Sequence, residues 1–186
     1  MNIQASTSTN TEKKPAIDNS SDSKSAELSD QFKGAMRRLT SSVAIIATSE
    51  GNVSAGMVAT AVISVSTAPP ALLICVNRSA SLHAPLLQQR RFSVNLLSTT
   101  QADLIPIFAG RVKGSARFEY GQWKDVDGLP LLQGAQSNLI CILDKLTSYG
   151  SHDLIIGRVQ SVQFLEKVSP LLWENGQPAS SKQIPQ

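Results

Sequence analysis

From about residue 41 onward the chain is built of short apolar runs separated by clusters of Gly, Pro, Asn and Ser. "SVAIIATS" (42–49), "ALLICVN" (71–77), "RFSVNLLS" (91–98), "NLICILDKL" (138–146) and "LIIGRVQSVQF" (154–164) are dominated by Val, Ile and Leu. Runs of this length and β-branched content, bounded by turn formers, predict strands. "SEGN" (49–52) suits a hairpin turn. "STAPPA" (66–71) predicts an extended corner, because two prolines cannot donate to a ladder.

Helical spacing appears in three places. In "LSDQFKGAMRRLT" (28–40), Phe32, Ala35, Met36 and Leu39 recur on one side, with Ser29 or Asp30 placed to cap the start. "SASLHAPLLQQR" (79–90) groups Leu82, Leu86 and Leu87. "TTQADLIPIFAG" (99–110) groups Leu104, Ile105 and Phe108, with Pro106 expected to kink or shorten it. About seven strands against three short helices, without strand–helix alternation, predict an antiparallel barrel or sandwich rather than a doubly wound sheet.

Residues 1–27 are rich in Ser, Thr, Lys and Asp and contain no aromatic residue. Such a segment cannot bury enough apolar surface to offset its ordering entropy and reads as a disordered tail. The last stretch, residues 174–186, "ENGQPASSKQIPQ", reads as a flexible tail as well, which leaves a folded domain over 28–173.

Composition narrows the function classes. The 186 residues are 41% hydrophobic, enough for one domain with a real core. A net charge of +3, spread over scattered pairs such as Lys13-Lys14, Arg37-Arg38 and Arg90-Arg91, with only 5% aromatics, argues against nucleic acid as a partner. Cys75 and Cys141 both lie in apolar runs and read as core thiols of a reducing compartment. Two cysteines and two histidines without close ligand spacing give no metal site. No run reaches bilayer-spanning length and no apolar signal core opens the chain, so the expected location is cytoplasmic, away from the membrane. The glycine fingerprints of dinucleotide-binding folds and P-loops do not occur.

Three stretches are candidates for chemistry. "ATAVISVS" (59–66) is unusually small and hydroxylated. It reads as a barrel strand with one polar face, or as a wall where a flat ligand lies against the backbone and bonds to peptide N–H groups and the Thr60 hydroxyl. In "CVNRSASLHAP" (75–85), Asn77, Ser79, Ser81 and His83 precede a helical start, with Arg78 among them. They serve a cap and turn, or an anion site. "GSHD" (150–153) puts His152 at a strand entrance, as a solvated turn residue or as a positioned imidazole that Asp153 orients. Ser151, His152 and Asp153 cannot form a hydrolase triad, because neighbours on a strand face opposite ways.

Taken in order, the blocks "QFKGAMRRLTSSVAIIAT", "GMVATAVISVSTAPPALLICVNRSASLH", "RFSVNLLSTTQADLIPIFAG", "RFEYGQW", "GLPLLQGAQSNLICIL" and "GSHDLIIGRV" resemble the short-chain flavin reductases. These enzymes supply reduced flavin to two-component aromatic monooxygenases, such as those acting on 4-hydroxyphenylacetate and on chlorophenols. The resemblance spans about residues 29–173. It implies a mainly β, antiparallel Greek-key split barrel of the FMN-binding type with a few short helices. It further implies a homodimer that binds FMN or FAD, takes hydride from NADH or NADPH onto flavin N5, and passes reduced flavin to an oxygenase component by diffusion. Carried over by position, Val58, Ala59, Thr60 and Ala61 lie along the flavin ring. Asn77, Ser79, Ser81, Leu82 and His83 hold the ribityl chain and phosphate, and Phe92, Arg117 and Trp173 line the site. His152 becomes the residue beside which nicotinamide docks, acting as a positioner rather than an acid or base. Ser151 stands where many members carry Asp, and "ENGQPAS" replaces a basic and aromatic pattern. A non-enzymatic flavin module of the same fold, or a plain interaction domain, is the competing expectation.

Overall fold

The computed structural model describes residues 19–185. The chain divides after Met36 into two compact units. The first contains helix α1, Asn19–Met36. The helix therefore starts inside the segment expected to be a disordered tail, and residues 1–18 lie outside the described residues. Ser29 and Asp30 do not cap it but sit in its interior. The stretch from Asn19 holds no Gly or Pro before Gly34, and spaced polar pairs carry the helix onward: Lys33 to Asp30 at 2.9 Å and Gln31 to Glu27 at 3.1 Å.

The second unit is the β domain. Its strands are β1 (Ser41–Ser42), β2 (Ala44–Glu50), β3 (Val53–Ala59), β4 (Val62–Thr67) and β5 (Pro70–Asn77), followed by helix α2 (His83–Gln89). Then come β6 (Arg91–Leu96), β7 (Trp123–Val126), β8 (Leu129–Leu132), β9 (Ser137–Tyr149), β10 (His152–Phe164), β11 (Leu171–Glu174) and β12 (Gln177–Ser180). Seven strands form one antiparallel sheet in the order β3-β2-β6-β9-β10-β5-β4.

That order settles the architecture. β3 and β4 are the two edges of the sheet, yet only Thr60 and Ala61 separate them in sequence. Three Cα–Cα steps reach at most roughly 11 Å, so the edges must meet and the sheet must curl on itself. Closure comes from the link rather than a ladder: Val62 N–H donates to Thr60 C=O (3.1 Å) and Cys75 N–H to Ala61 C=O (3.4 Å). The result is a split barrel, as the sequence leads one to expect.

The curl creates two cores. β2 is buried on both faces, which is why "AIIA" runs apolar without alternation. Ile46 packs into the barrel with Phe92, Val94, Ile74, Val76, Cys141 and Ile155. Ile45 faces the other way, against Leu97, Leu104, Phe108 and Leu132. Gly157 sits at a register shift in β10 where a Cβ would lie 2.5 Å from the Phe92 ring and 3.1 Å from Cys141 Cβ.

Two hairpins complete the domain, and the second in sequence runs against the sequence reading. β11 and β12 pair across Asn175-Gly176, both with positive φ, so the chain stays structured past 173 rather than ending there in a flexible tail. β7 and β8 pair across Asp127-Gly128 in the same way. Both turns use left-handed residues that match strand twist. Around Pro106 the expected helix shrinks to Leu104–Pro106 and opens into a wide turn over Ile107–Arg111, with Gly110 at φ 120°. No helix among the described residues is long and apolar enough to cross a membrane.

Candidate active site

The site grows from the β3–β4 link. Val58, Ala59 and Thr60 wall a hollow of about 240 Å³ together with Ile105, Ala109 and Trp173. Val58 and Ala109 also line a larger cleft of about 590 Å³, so the two adjoin as one trough. Small side chains along the wall leave the backbone open to a flat ligand. The larger cleft alone falls within the roughly 300–1,000 Å³ usual for small-molecule sites.

The polar end of the trough has two sides. On one, the chain leaving β5 forms a strap over residues 78–82. Asn77 Oδ1 accepts from Ser79 N–H (2.9 Å) and Ser79 Oγ–H (2.8 Å), the turn chemistry for which Asn is suited. This arrangement presents Ser79, Ala80 and Ser81 to the cleft. On the other side stand Lys113, Gly114 and Arg117.

Arg117 is only 6% exposed. Its Nε donates to Val112 C=O (2.7 Å), its Nη1 to Gly56 C=O (2.5 Å) and, at 3.5 Å, to Ser81 Oγ. Among the described residues no carboxylate pairs with it. A buried cation held only by neutral acceptors favours an anion beside it, because burial strengthens the attraction and leaves the charge uncompensated. Phe108, Phe118 and Trp123 form an aromatic cluster with centroids 4.9–5.6 Å apart, Phe118 meeting both neighbours edge to face and Phe108 tilted at 47° to Trp123. Gly56 makes room for them: a Cβ there would lie 2.9 Å from Phe118 and 3.0 Å from Phe108.

The remaining expected residues divide by position. Leu82 and Phe92 are fully buried in the barrel core and line neither hollow, unlike the ligand contact expected of them. Ala61, Asn77 and His83 do not line either hollow. Ala61 and Asn77 shape the link and the strap, and His83 Nε2 bonds Asp153 Oδ2 at 2.7 Å. Asp153 therefore orients the other histidine, not His152. His152 is exposed, pairs with Asn77 across β5–β10 outside the lining of both hollows, and has Ser151 Oγ 3.0 Å from its Nδ1. Lys113, Phe108, Ala109 and Gly110 are among the lining residues that the sequence does not single out. "FAGRVKGSARF" carried the signal, with Lys113 and Arg117 four apart between glycines.

Titration behaviour follows the geometry. Hydrogen bonds from His83 and then Ser148 hold the Asp153 carboxyl below the usual carboxylate range, against the opposing effect of burial; the charges of His83 and Arg78 add to the lowering. Burial pushes the Cys141 thiol up to about 12 and raises Cys75, which disfavours the thiolate at both positions.

Comparison with known proteins agrees with this fold. Residues 36–182 match the flavin reductase like domain, and the chain belongs to that family. The chain is 40% identical over 134 residues to the FMN reductase (NADH) RutF of Stutzerimonas stutzeri, covering 72% of this chain and 77% of that protein. It is 39% identical over 150 residues to the reductase component of the FADH(2)-dependent resorcinol hydroxylase of Rhizobium sp., covering 78% and 83%. Among solved structures, a flavin reductase of Haemophilus somnus superposes with a TM-score of 0.79 at 33% identity, over 82% of this chain and 98% of that one.

Proposed function

We propose that this protein is an NAD(P)H-dependent flavin reductase that supplies reduced FMN or FAD to a partner flavin-dependent monooxygenase. The observation that carries the reading is Arg117, a buried cation without a carboxylate partner among the described residues, at the end of a trough walled by small residues. The family membership and the activities named for the relatives support the same assignment. One relative is the reductase component of an aromatic hydroxylase, which favours an aromatic substrate for the partner oxygenase.

A bound flavin supplies the hydride-accepting ring, and reduced nicotinamide supplies the hydride. The protein's part is position and field. Val58, Ala59 and Thr60 cover one side of a flat ring and exclude water from it. Arg117, with Lys113, offsets phosphate charge, and the Ser79 and Ser81 hydroxyls bond to a polyol chain. His152 presents an imidazole on the hairpin tied to the strap, where it orients the nicotinamide carboxamide without moving a proton. Two cations in an accessible trough suit a flavin that must leave again and reach the oxygenase by diffusion.

The working form is a homodimer in the cytoplasm. β4, β5 and β10 turn Ile63, Leu73, Leu154 and Ile156 to the outer face of the sheet, and Ile63 is 60% exposed. An apolar face of this kind favours a second copy.

The test is aerobic NADH or NADPH oxidation with free FMN or FAD in excess over protein. Loss of reduced-nicotinamide absorbance over many turnovers is expected. A yellow protein without turnover selects a flavin carrier instead, and a colourless inert one an interaction domain.

A further inference from the structure

The strap that carries Ser79 and Ser81 is fastened to the β9–β10 hairpin at both ends. At its start, Arg78 N–H donates to Ser151 C=O (3.0 Å) and the Arg78 guanidinium donates to Gly150 C=O. At its end, His83 donates to Asp153, and Asp153 Oδ1 also accepts from Ser148 Oγ–H at 2.7 Å. One carboxylate thus gathers three segments: the first residue of α2, the penultimate residue of β9 and the second residue of β10. The Asp153 side chain is 4% exposed and that of His83 15%.

Packing alone does not account for this pair. Asp153 lies opposite Val76 in the β5–β10 register, and Val76 and Leu82 are fully buried apolar residues. Burying a carboxylate among such residues is costly, and apolar side chains of similar size commonly serve stability as well or better. Two short hydrogen bonds onto one carboxylate supply what apolar contact lacks, a directional spacing between segments. The strand alternation then matters: Asp153 faces in and His152, its neighbour, faces out. Fixing the inner side chain fixes the hairpin on which the outer imidazole stands.

Building on the reductase reading above, we propose that Asp153 and His83 form a clasp that sets the polar wall of the trough and the His152 hairpin at one fixed spacing, so that flavin and nicotinamide affinity depend on it together. Asp153 is a positioning residue in this scheme. It touches neither ligand, and it acts through the strap at one end and through His152 at the other.

The test uses the full chain and three variants: Asp153→Asn, His83→Gln and the double variant. Oxidised FMN binding is followed by quenching of flavin fluorescence. NADH KM and the limiting rate come from stopped flow, and melting temperature is recorded beside them. Each single variant is expected to raise both the FMN Kd and the NADH KM about five- to twentyfold, with the limiting rate lowered no more than by loss of the His152 imidazole itself, and the double variant to be no worse than either single, as for two residues acting as a unit. A lowered melting temperature with unmoved Kd and KM overturns the proposal and makes the pair merely structural. Additive losses in the double variant overturn it as well. If Asp153→Asn does not fold, His83→Gln alone carries the same prediction on Kd and KM. Wild-type protein that binds FMN without oxidising NADH overturns the reductase reading while the FMN Kd still judges the clasp; wild-type protein that does neither overturns both.

Discussion

At the scale of single residues, the site depends on which side chains the fold turns toward the trough. The proposed function gives Arg117 and His152 different work, and their substitutions should separate accordingly. His152→Ala is expected to slow NADH-driven flavin reduction roughly tenfold, because a misplaced donor loses near-attack geometry, while the FMN Kd stays within about twofold. Stopped flow on this variant with an unchanged rate and unchanged nicotinamide affinity would remove His152 from the mechanism. The sequence named both residues but could not tell a lining residue from a core one. Phe92 and Arg117 lie in equally well matched blocks, yet Phe92 fills the barrel beside Gly157 and Arg117 reaches the cleft. The difference arises from contacts distant in sequence, such as the bond from Arg117 to Gly56 C=O, 61 positions away. Lys113 does not stand out in the sequence because its place on the cleft depends on a turn at Gly110 and Gly114, both with positive φ.

At the scale of elements, apolar periodicity and turn chemistry carried unequal information. The five apolar runs became β2, β5, β6, β9 and β10, because burial on the barrel core enforces the pattern. β12 was read as tail since its residues are mostly exposed and polar. Its Asn-Gly turn was nonetheless in plain sight, as was the Asp-Gly turn between β7 and β8. Helix α1 exceeded its expected start because polar residues without breakers extend a helix as readily as apolar ones. Gly157 gives this level its sharpest test. A methyl group there collides with Phe92 and Cys141, so Gly157→Ala should cost about 1–3 kcal/mol of stability by overpacking. Chemical denaturation that returns wild-type stability would show that β10 does not pass the Phe92 ring as closely as described.

At the scale of the whole molecule, one short link governs both closure and function. The two residues between β3 and β4 bring the sheet edges together, and the gap they leave unladdered is where the small-residue wall opens onto the trough. Barrel topology was legible from the sequence as a class. The joining of these edges was not, since strand order depends on pairings across the whole chain. The same curl turns the Asn77–Ser81 strap, the 113–117 segment and Trp173 toward neighbouring hollows, which no local pattern predicts. The account therefore rests on the trough as the flavin site, with Arg117 as its buried anchor. Its most direct test is the FMN dissociation constant of Arg117→Met beside that of the wild type, measured by fluorescence titration of folded protein. A rise of at least about tenfold is predicted, the loss expected when a charged hydrogen-bond donor is removed from an anion; an unchanged dissociation constant would contradict the account.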